Sequence, residues 1–230
     1  MDKLYKDFEL FARDKGVSSS KLDGYKRHTS GIISPTIVEE RQLNAVTMDV
    51  FSKLIYERII VLGTAIDSDV ANIINAQMMY LNSVDGEADI KLWINSPGGD
   101  CDSGLAIVDI MNWVDCDVST YTMGIAASMG SIILCSGERG KRFALPHSKI
   151  LLHQPMSSVA PHTQESDFKI AYEELKKCKD TLYTILSENT GKSIEEITAD
   201  ADRDHWLTAA ESVPGVYGPY GLIDEIIVKK

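Results

Sequence analysis

The alternation of short apolar runs with stretches of helical periodicity is the feature that most constrains how this chain folds. Arg58 to Leu62 is rich in β-branched residues and ends at Gly63, which is typical of a buried strand. Asp67 or Ser68 can cap the helix that follows. The apolar stripe of that helix has the spacing of one buried face and consists of Val70, Ile73, Ile74, Met78 and Leu81. This stretch therefore predicts a strand followed by an amphipathic helix.

The same alternation then occurs twice more. Ile90 to Asn95 resembles a strand, and it ends at Ser96-Pro97-Gly98-Gly99 before a second helix whose apolar positions include Leu105, Val108 and Met111. Asp117 to Met123 predicts a third strand that ends at Gly124, and Ala126 to Leu134 is expected to turn into a third helix. Strand and helix in this order imply right-handed crossovers and a mainly parallel sheet with helices on its faces. The fold class is therefore α/β.

The second half of the chain has a different character. Lys149 to His153 predicts one more strand, and Gln164 to Ser187 predicts a long helix that carries charge on most faces. A helix of this kind either stands in solvent or packs against another subunit. Ser193 and Glu196 form a capping box for a further short helix, and Leu222 to Val228 predicts a final strand.

The first part of the chain is polar and mixed in charge, with few apolar positions. We interpret Met1 to about Ser34 as a flexible or removable leader that lies outside the core. It lacks the apolar centre of a signal peptide and carries too many acidic residues for a transit peptide. A chain of 230 residues is then expected to hold one domain, from residue 35 to residue 230.

Composition limits the partners and the compartment. The chain has 23 Lys and Arg against 34 Asp and Glu, a net charge of -11 that repels nucleic acids and anionic membranes. Four cysteines without a C-x-x-C pair are too few for a secreted fold of this size that is held together by disulfides, and they indicate reduced thiols. No stretch approaches the roughly 18 apolar residues of a membrane helix. We therefore expect a cytoplasmic protein that binds neither nucleic acid nor membrane.

A serine at a strand-to-helix junction is the first candidate for chemistry. Ser128 lies among small residues, which let a substrate backbone approach, and amides at a helix start can stabilise an oxyanion. The alternative is a tight packing contact between strand and helix. The G-x-S-x-G elbow of the α/β-hydrolases requires glycine where Ala126 stands, so that pattern is weak here. Ser96 to Gly99 ends the neighbouring strand and can add an amide from the same edge of the sheet.

Five histidines are candidates for a general base. His153 ends an apolar strand, which is a rigid place from which to present an imidazole, while His205 beside Asp204 is the competing candidate. The other three lie in the leader, a turn and an irregular linker, and are interpreted as solvated side chains: His28, His147 and His162. No histidine spacing matches a metal site, so we predict no catalytic metal.

Five blocks in order resemble the Clp protease proteolytic subunit family over residues 35 to 230. The blocks are Ile94–Gly99, Met123–Ser131, Gly140–Pro146, His153–Pro155 and Asp202–Ala209. The resemblance implies that Ser128 is the nucleophile, His153 the base and Asp204 the carboxylate that orients the base. It further implies that the backbone amides of Gly99 and Met129 form the oxyanion hole. The alternatives that remain are a non-catalytic ring subunit and a coenzyme-A ester hydratase or isomerase of the related crotonase fold.

The resemblance also implies architecture and partners. The expected fold is the ClpP/crotonase-like spiral of repeated βαβ units with a protruding handle helix, in a handle region of about residues 154–190. Two stacked seven-membered rings would meet through this handle, with Asp202 and Arg203 in the ring-to-ring contacts. Trp93 and Trp113 match aromatic residues that dock an ATP-driven (AAA+) unfoldase of the Clp type. No cofactor is expected in this chain, because ATP is used by the unfoldase, which feeds in unfolded polypeptides.

Three departures from the family pattern remain. The leader resembles a pro-segment without a defined cleavage point. Adjacent glycines that usually follow His153-Gln154-Pro155 are replaced by the segment from Met156 to Pro161, and Pro214 to Gly218 resembles an insertion of about five residues. We expect the first of these two segments to make the strand that pairs with substrate stiffer or different in shape.

Overall fold

The structure is a computed structural model and describes residues 10–30, 36–41, 44–158, 160 and 162–228. Among these residues, a sheet of seven strands forms the centre of the molecule. The strands of this sheet are β3 Ile59–Leu62, β4 Ile90–Ser96, β5 Val118–Ala127, β6 Arg142–Ala144, β7 Lys149–Leu152, β8 His205–Thr208 and β9 Glu225–Ile226. Their order is β3-β4-β5-β6-β9, and β7 pairs with both β5 and β8. Every pair is parallel except β7 with β8, which confirms the mainly parallel sheet.

Besides a helical segment over residues 10–14, seven helices accompany the strands in the described ranges. They are α1 Ser19–Ser30, α2 Val50–Tyr56, α3 Ser68–Val84, α4 Cys101–Trp113, α5 Met129–Cys135, α6 Glu165–Thr190 and α7 Ile194–Asp200. A short 3-10 turn covers Ala210–Ser212, and an antiparallel hairpin of β1 Thr36–Arg41 and β2 Asn44–Asp49 precedes the main sheet. None of these helices combines the length and the apolar character needed to cross a lipid bilayer.

The helix caps follow from the sequence. The Asp67 carboxylate accepts a hydrogen bond from the Val70 amide at 2.8 Å and begins α3. Asp100 does the same for α4 by accepting from the Ser103 amide at 2.8 Å. The capping box of Ser193 and Glu196 is confirmed, with both of its hydrogen bonds formed. Side chains therefore satisfy amides that a helix start leaves without an intrahelical acceptor.

Strand β5 bends in the middle, and this bend positions the candidate site. Its first half pairs with β6 through Thr120–Thr122, and its second half pairs with β7 through Ile125–Ala127. Gly124 lies between the halves with φ of 79°, and a Cβ there would meet the Asn95 side-chain oxygen at 2.8 Å. Glycine accepts this left-handed conformation without a steric penalty. The strand thus leaves one part of the sheet and continues to Ala127, beside the start of β7.

Several predicted boundaries are wrong. Strand β5 runs to Ala127 and α5 begins only at Met129, because residues 125–127 are held in the sheet by β7. The predicted last strand shrinks to Glu225–Ile226. The amides of Leu222 and Ile223, which lie just before this strand, donate to the Ser212 carbonyl oxygen at 2.8 and 3.2 Å. They are therefore not available for hydrogen bonds to a neighbouring strand of the sheet.

Part of the predicted leader belongs to the core. Ala12, Val17 and Leu22 are buried within the same hydrophobic cluster as the domain. The Phe11 and Tyr80 rings lie 5.7 Å apart, and Lys21 forms an ion pair with Asp69 at the start of α3. The expectation that this segment lies outside the core is therefore wrong for residues 10–24. Residues 1–9 and 31–35 lie outside the described residues, and processing of the leader stays a prediction.

Helix α6 is only partly anchored in the subunit. Its 26 residues bury side chains only near the C-terminal end, at Leu182, Tyr183, Leu186 and Thr190. The earlier turns expose large apolar side chains at Phe168, Ile170 and Tyr172. The predicted helix is confirmed, and it presents an uncovered apolar surface along its first half. A helix with such a surface is suited to contact with another subunit.

A buried arginine ties the last turns of the chain to the sheet. Arg142 is 1% exposed, and its guanidinium forms an ion pair with Asp224 at 2.6 Å. The same group donates to the carbonyl oxygens of Cys135, Asn189, Tyr220 and Gly221. Because a guanidinium has five N–H donors, one side chain can satisfy acceptors from several separate segments. Arg142 therefore holds the C-terminal turns and the end of α6 against β6.

Candidate active site

Ser128 occupies a strained turn between β5 and α5. Its backbone has φ of 54° and ψ of -122°, a left-handed conformation that is costly for a residue with a side chain. The Ser128 amide donates to the Leu151 carbonyl oxygen at 2.9 Å, and the Ser128 carbonyl oxygen accepts from the Ser131 hydroxyl at 2.6 Å. These bonds fix the turn from both sides. Backbone strain of this kind concentrates at functional sites, where the surrounding structure holds it in place.

Glycines let a second loop approach this serine. A Cβ at Gly98 would lie 2.7 Å from the Ser128 Cβ and 2.6 Å from the Ala127 carbonyl oxygen. A Cβ at Gly130 would lie 3.2 Å from the Ser96 carbonyl oxygen. The loop after β4 and the turn after β5 are therefore packed backbone to backbone. This contact explains why both sequence stretches consist of small residues.

The two predicted oxyanion donors belong to these two turns. The residues on either side of Gly99 form backbone hydrogen bonds with Ile66. The Ile66 amide donates to the Gly98 carbonyl oxygen, and the Asp100 amide donates to the Ile66 carbonyl oxygen, both at 2.9 Å. Met129 begins α5, where the amide has no acceptor in its own helix. Within the described part of the chain, neither the Gly99 nor the Met129 amide donates to a protein acceptor. Both amides therefore remain candidates for the predicted oxyanion hole.

A Gly99→Ala substitution is expected to lower kcat for the peptide hydrolysis that the family resemblance implies by about 100-fold or more, the loss typical of a displaced oxyanion donor. A Cβ at Gly99 would lie 2.1 Å from the Ile66 carbonyl oxygen, so the loop must move. Steady-state hydrolysis of a fluorogenic peptide measures the effect. The control is Gly63→Ala, where the new Cβ meets only a side-chain atom at 3.7 Å. Equal activities of the two variants would contradict the assignment of Gly99.

His153 lies beside Ser128 because of strand pairing. Strand β7 pairs in parallel with the end of β5, with Ala127 opposite Leu151, so the residues that follow each strand stay adjacent. Ser128 and His153 line the same cavity. The His153 side chain is 14% exposed, which leaves an imidazole edge accessible from the cleft. The predicted base is thus placed within the same site as the predicted nucleophile.

Asp204 approaches His153 from the other side of β7. Strand β8 pairs with β7 in antiparallel orientation, with Leu152 opposite His205, which brings the preceding Asp204 next to His153. The Asp204 carboxylate lies 4.0 Å from His153 Nδ1, and its side chain is 68% exposed. This distance exceeds a hydrogen bond, as is common for catalytic groups in unliganded enzymes. The carboxylate faces Nδ1, so Nε2 is the nitrogen left for Ser128.

The competing base does not reach the site. His205 Nδ1 lies 3.9 Å from the Asp200 carboxylate, and its ring packs against Tyr217 with 6.3 Å between the ring centres. Successive side chains of a strand point to opposite faces, so His205 and Asp204 separate. The structure therefore brings together Ser128, His153 and Asp204 and leaves His205 outside this group.

An apolar cavity adjoins the nucleophile. Its walls come from α5, α6 and the end of β7, and they include Met129, Ile132, Leu152, Leu182 and Leu186. The cavity is lined by Ser128 and His153 as well, and its volume of about 20 Å³ is that of roughly one water. Residues of α6 in this wall were not predicted, because their pairing with α5 is a long-range contact.

None of the predicted interaction residues lines this cavity. Arg203 is exposed and donates to the Asp202 carbonyl oxygen at 3.1 Å. Trp113 is 64% exposed at the end of α4. Trp93 stacks on Tyr121 with 4.7 Å between ring centres, and Tyr121 stacks on Phe143 at 4.9 Å. The sequence reasoning missed Tyr121 and Phe143, although their positions in two strands were a usable signal.

Searching the described residues for three or more metal-binding side chains finds no cluster that could hold a metal ion. Their four cysteines are all free thiols. The absence of a catalytic metal stays a prediction from the sequence.

Comparison with known proteins decides the family. The Clp protease family matches residues 41–230, which is most of the chain. The chain belongs to the Clp protease family. Its predicted fold class is confirmed by this membership together with the parallel sheet. The resemblance inferred from five short blocks is confirmed over a continuous match.

Individual relatives agree with the Clp protease assignment. An ATP-dependent Clp protease proteolytic subunit of Porphyromonas gingivalis is 48% identical over 224 residues, which cover 97% of this chain and 98% of that protein. The subunit of Bacteroides thetaiotaomicron is 44% identical over 225 residues, covering 97% and 99%. That of Streptococcus mutans is 47% identical over 193 residues, covering 84% and 96%. The first two matches are long enough to include most of the N-terminal segment.

Proposed function

We propose that this chain is the proteolytic subunit of an ATP-dependent Clp protease, a serine endopeptidase that hydrolyses peptide bonds of unfolded polypeptides. The observation that carries the proposal is the strained Ser128 turn, which shares one cavity with His153 and adjoins the amides of Gly99 and Met129. Protein turnover and quality control are the corresponding roles. Relatives named as such subunits at 44–48% identity support it.

Each residue has a role that its position allows. His153 Nε2 removes the Ser128 proton as the hydroxyl oxygen attacks the scissile carbonyl carbon. Asp204 faces Nδ1, holds the tautomer that leaves Nε2 free, and stabilises the imidazolium. The amides of Gly99 and Met129 stabilise the oxyanion, and the protonated His153 then gives its proton to the leaving amine. Water attacks the acyl-serine by the same route and releases the second product.

Hydrolysis of a short fluorogenic peptide tests this function. The unchanged chain is expected to cleave it, and Ser128→Ala is expected to lose about 10⁴-fold or more of kcat, because a triad without its nucleophile retains only binding and oxyanion stabilisation. The matched control is Ser83→Ala, an exposed serine in α3. The proposal fails if Ser128→Ala cleaves the peptide as fast as this control.

We also propose that the subunits assemble as two stacked seven-membered rings. The exposed apolar side chains along the first half of α6, among them Phe168 and Tyr172, support a subunit contact there. Arg203 and Asp202 are exposed beside Asp204, so a contact at these residues would order the carboxylate that His153 needs. Sedimentation velocity tests the assembly. A monomer at micromolar concentration that is fully active would contradict it.

The proposed partner is an AAA+ unfoldase of the Clp type. The stacked Trp93, Tyr121 and Phe143, together with the exposed Trp113, offer aromatic surface for an apolar loop of that partner. Trp113→Ala should weaken ATP-dependent degradation of a protein substrate and leave short-peptide hydrolysis unchanged. ATP is bound and hydrolysed by the partner, since this sequence has no phosphate-binding G-x-x-x-x-G-K loop.

The proposed location is the cytoplasm. The free thiols of the four cysteines support it, because reduced cysteines are typical of that compartment.

A further inference from the structure

The segment from Pro214 to Gly218, which resembles an insertion relative to the family pattern, buries one aromatic side chain. Tyr217 is only 3% exposed. Its amide donates to the Val213 carbonyl oxygen at 3.0 Å, and the Gly215 amide donates to the Gly218 carbonyl oxygen at 2.8 Å. These bonds close the segment into a tight turn with the Tyr217 ring on its inner side.

The turn is fixed against the end of the long helix α6. Gly218 has φ of 70°, and a Cβ there would lie 2.6 Å from the Thr190 carbonyl oxygen. The Tyr220 amide donates to the same carbonyl oxygen at 3.0 Å. Because backbone contacts hold the turn on both sides of Tyr217, the place of its ring is well defined.

The Tyr217 ring contacts two side chains that share one carboxylate. Lys192 Nζ lies over the ring, 4.3 Å from its centre, and the His205 ring meets it edge-on with 6.3 Å between the ring centres. Lys192 forms an ion pair with Asp200, and His205 Nδ1 lies 3.9 Å from the same carboxylate. The Tyr217 hydroxyl forms no hydrogen bond within the described residues, so the contacts are those of the ring.

These contacts hold the backbone next to Asp204. His205 is the first residue of β8 and directly follows Asp204. On the other side, Gln154 donates from its amide to the Ala201 carbonyl oxygen at 2.8 Å and from its side chain to the Asp202 carbonyl oxygen at 2.9 Å. The Asp204 side chain itself is 68% exposed. Its position is therefore set mainly by the backbone on its two sides.

We propose that Tyr217 is a positioning residue for Asp204: by holding His205 and the start of β8, its ring keeps the Asp204 carboxylate facing His153. The effect of Tyr217 on peptide hydrolysis rests on the proposed function. Misplacing a catalytic group by about 1 Å can cost up to about 100-fold in rate, whereas disabling the triad carboxylate costs about 10⁴-fold. Loosening the start of β8 should therefore cost much less than removing the carboxylate.

The experiment measures hydrolysis of a fluorogenic peptide by the purified full-length assembly. Tyr217→Leu keeps an apolar side chain but loses the ring, and we expect kcat to fall about tenfold, within the range for a misplaced catalytic group. Tyr217→Phe keeps the ring and should keep the kcat of the unchanged chain. The matched control is Tyr220→Leu, since the Tyr220 ring lies in the same turns but packs on the Arg139 guanidinium, 4.1 Å from the ring centre.

A second background separates positioning from a general loss of structure. In a chain that already carries Asp204→Asn, Tyr217→Leu should cause no further loss of the residual hydrolysis, which is measured at high enzyme concentration, because residues that act through one another are not additive. A residue that only supports the fold would lower activity in both backgrounds. If Tyr217→Leu does not assemble, His205→Leu removes the other ring of the contact and should show the same pattern.

The outcomes are distinct. The proposal is overturned if Tyr217→Leu is as active as Tyr220→Leu, if Tyr217→Phe loses as much activity as Tyr217→Leu, or if the loss is equal with and without Asp204→Asn. In each of these cases the unchanged chain still cleaves the peptide, so the proposed peptidase function stands. An unchanged chain that cleaves no peptide overturns both.

Discussion

Replacing His153 by alanine is expected to lower kcat for peptide hydrolysis by about 10⁴-fold or more, because a catalytic triad loses nearly all of its advantage when the base is removed. His153 shares a cavity with Ser128 and lies 4.0 Å from Asp204, so no other described histidine is placed to accept the serine proton. Steady-state hydrolysis of a fluorogenic peptide measures the loss, and size-exclusion chromatography checks that the assembly is intact.

The control for this experiment is His205→Ala. His205 is the residue that the sequence left as the alternative base, and the structure pairs it with Asp200 instead. We expect His205→Ala to keep kcat within about tenfold of the unchanged chain, since His205 only packs near the site. A larger loss in His205→Ala than in His153→Ala would reverse the assignment.

Replacing Arg142 by methionine is expected to lower the free energy of unfolding by about 3–5 kcal/mol, the usual cost of removing one partner from a buried ion pair. The substitution leaves the Asp224 carboxylate, whose side chain is 15% exposed, without its guanidinium. It also removes the donors for four backbone carbonyl oxygens. Urea unfolding at a fixed protein concentration measures the change.

The double variant Arg142→Met with Asp224→Leu tests the cause. It removes both charges, so it should recover part of the loss, and no recovery would contradict the account. Burial alone raises the pKa of Asp224, but hydrogen bonds and charge from Arg142 outweigh it and leave the pKa below its usual value. The pair therefore stabilises the fold above the unfolded pKa of about 3.9 and ceases to do so as pH falls through the folded pKa.

Local signals in the sequence predicted the elements that depend on near neighbours. Asp67 and the capping box of Ser193 and Glu196 are caps in the structure, because each needs only a backbone amide three residues away. The glycines and small residues around Ser128 also had a local cause, which is the backbone contact of two adjacent turns. Residue types alone therefore marked Ser128 as a candidate and left a packing contact as the alternative, and the family resemblance supplied the assignment.

Long-range pairing decided what the sequence left open. The choice of His153 over His205 as the candidate base depends on how β8 pairs with β7. The length of β5 depends on the pairing of its last residues with β7. The burial of Ala12, Val17 and Leu22 depends on packing against the rest of the domain, which the residues next to them in the sequence do not reveal. No local pattern encodes such contacts.

The assignment of Ser128 as the nucleophile is tested most directly by mapping a fluorophosphonate adduct. The purified chain is treated with the probe, digested and sequenced by mass spectrometry, alongside Ser128→Ala. The account predicts one modified residue, Ser128, in the unchanged chain and no adduct in the variant. An adduct on another residue, or equal labelling of Ser128→Ala, would contradict the central claim that this strained serine carries out peptide hydrolysis.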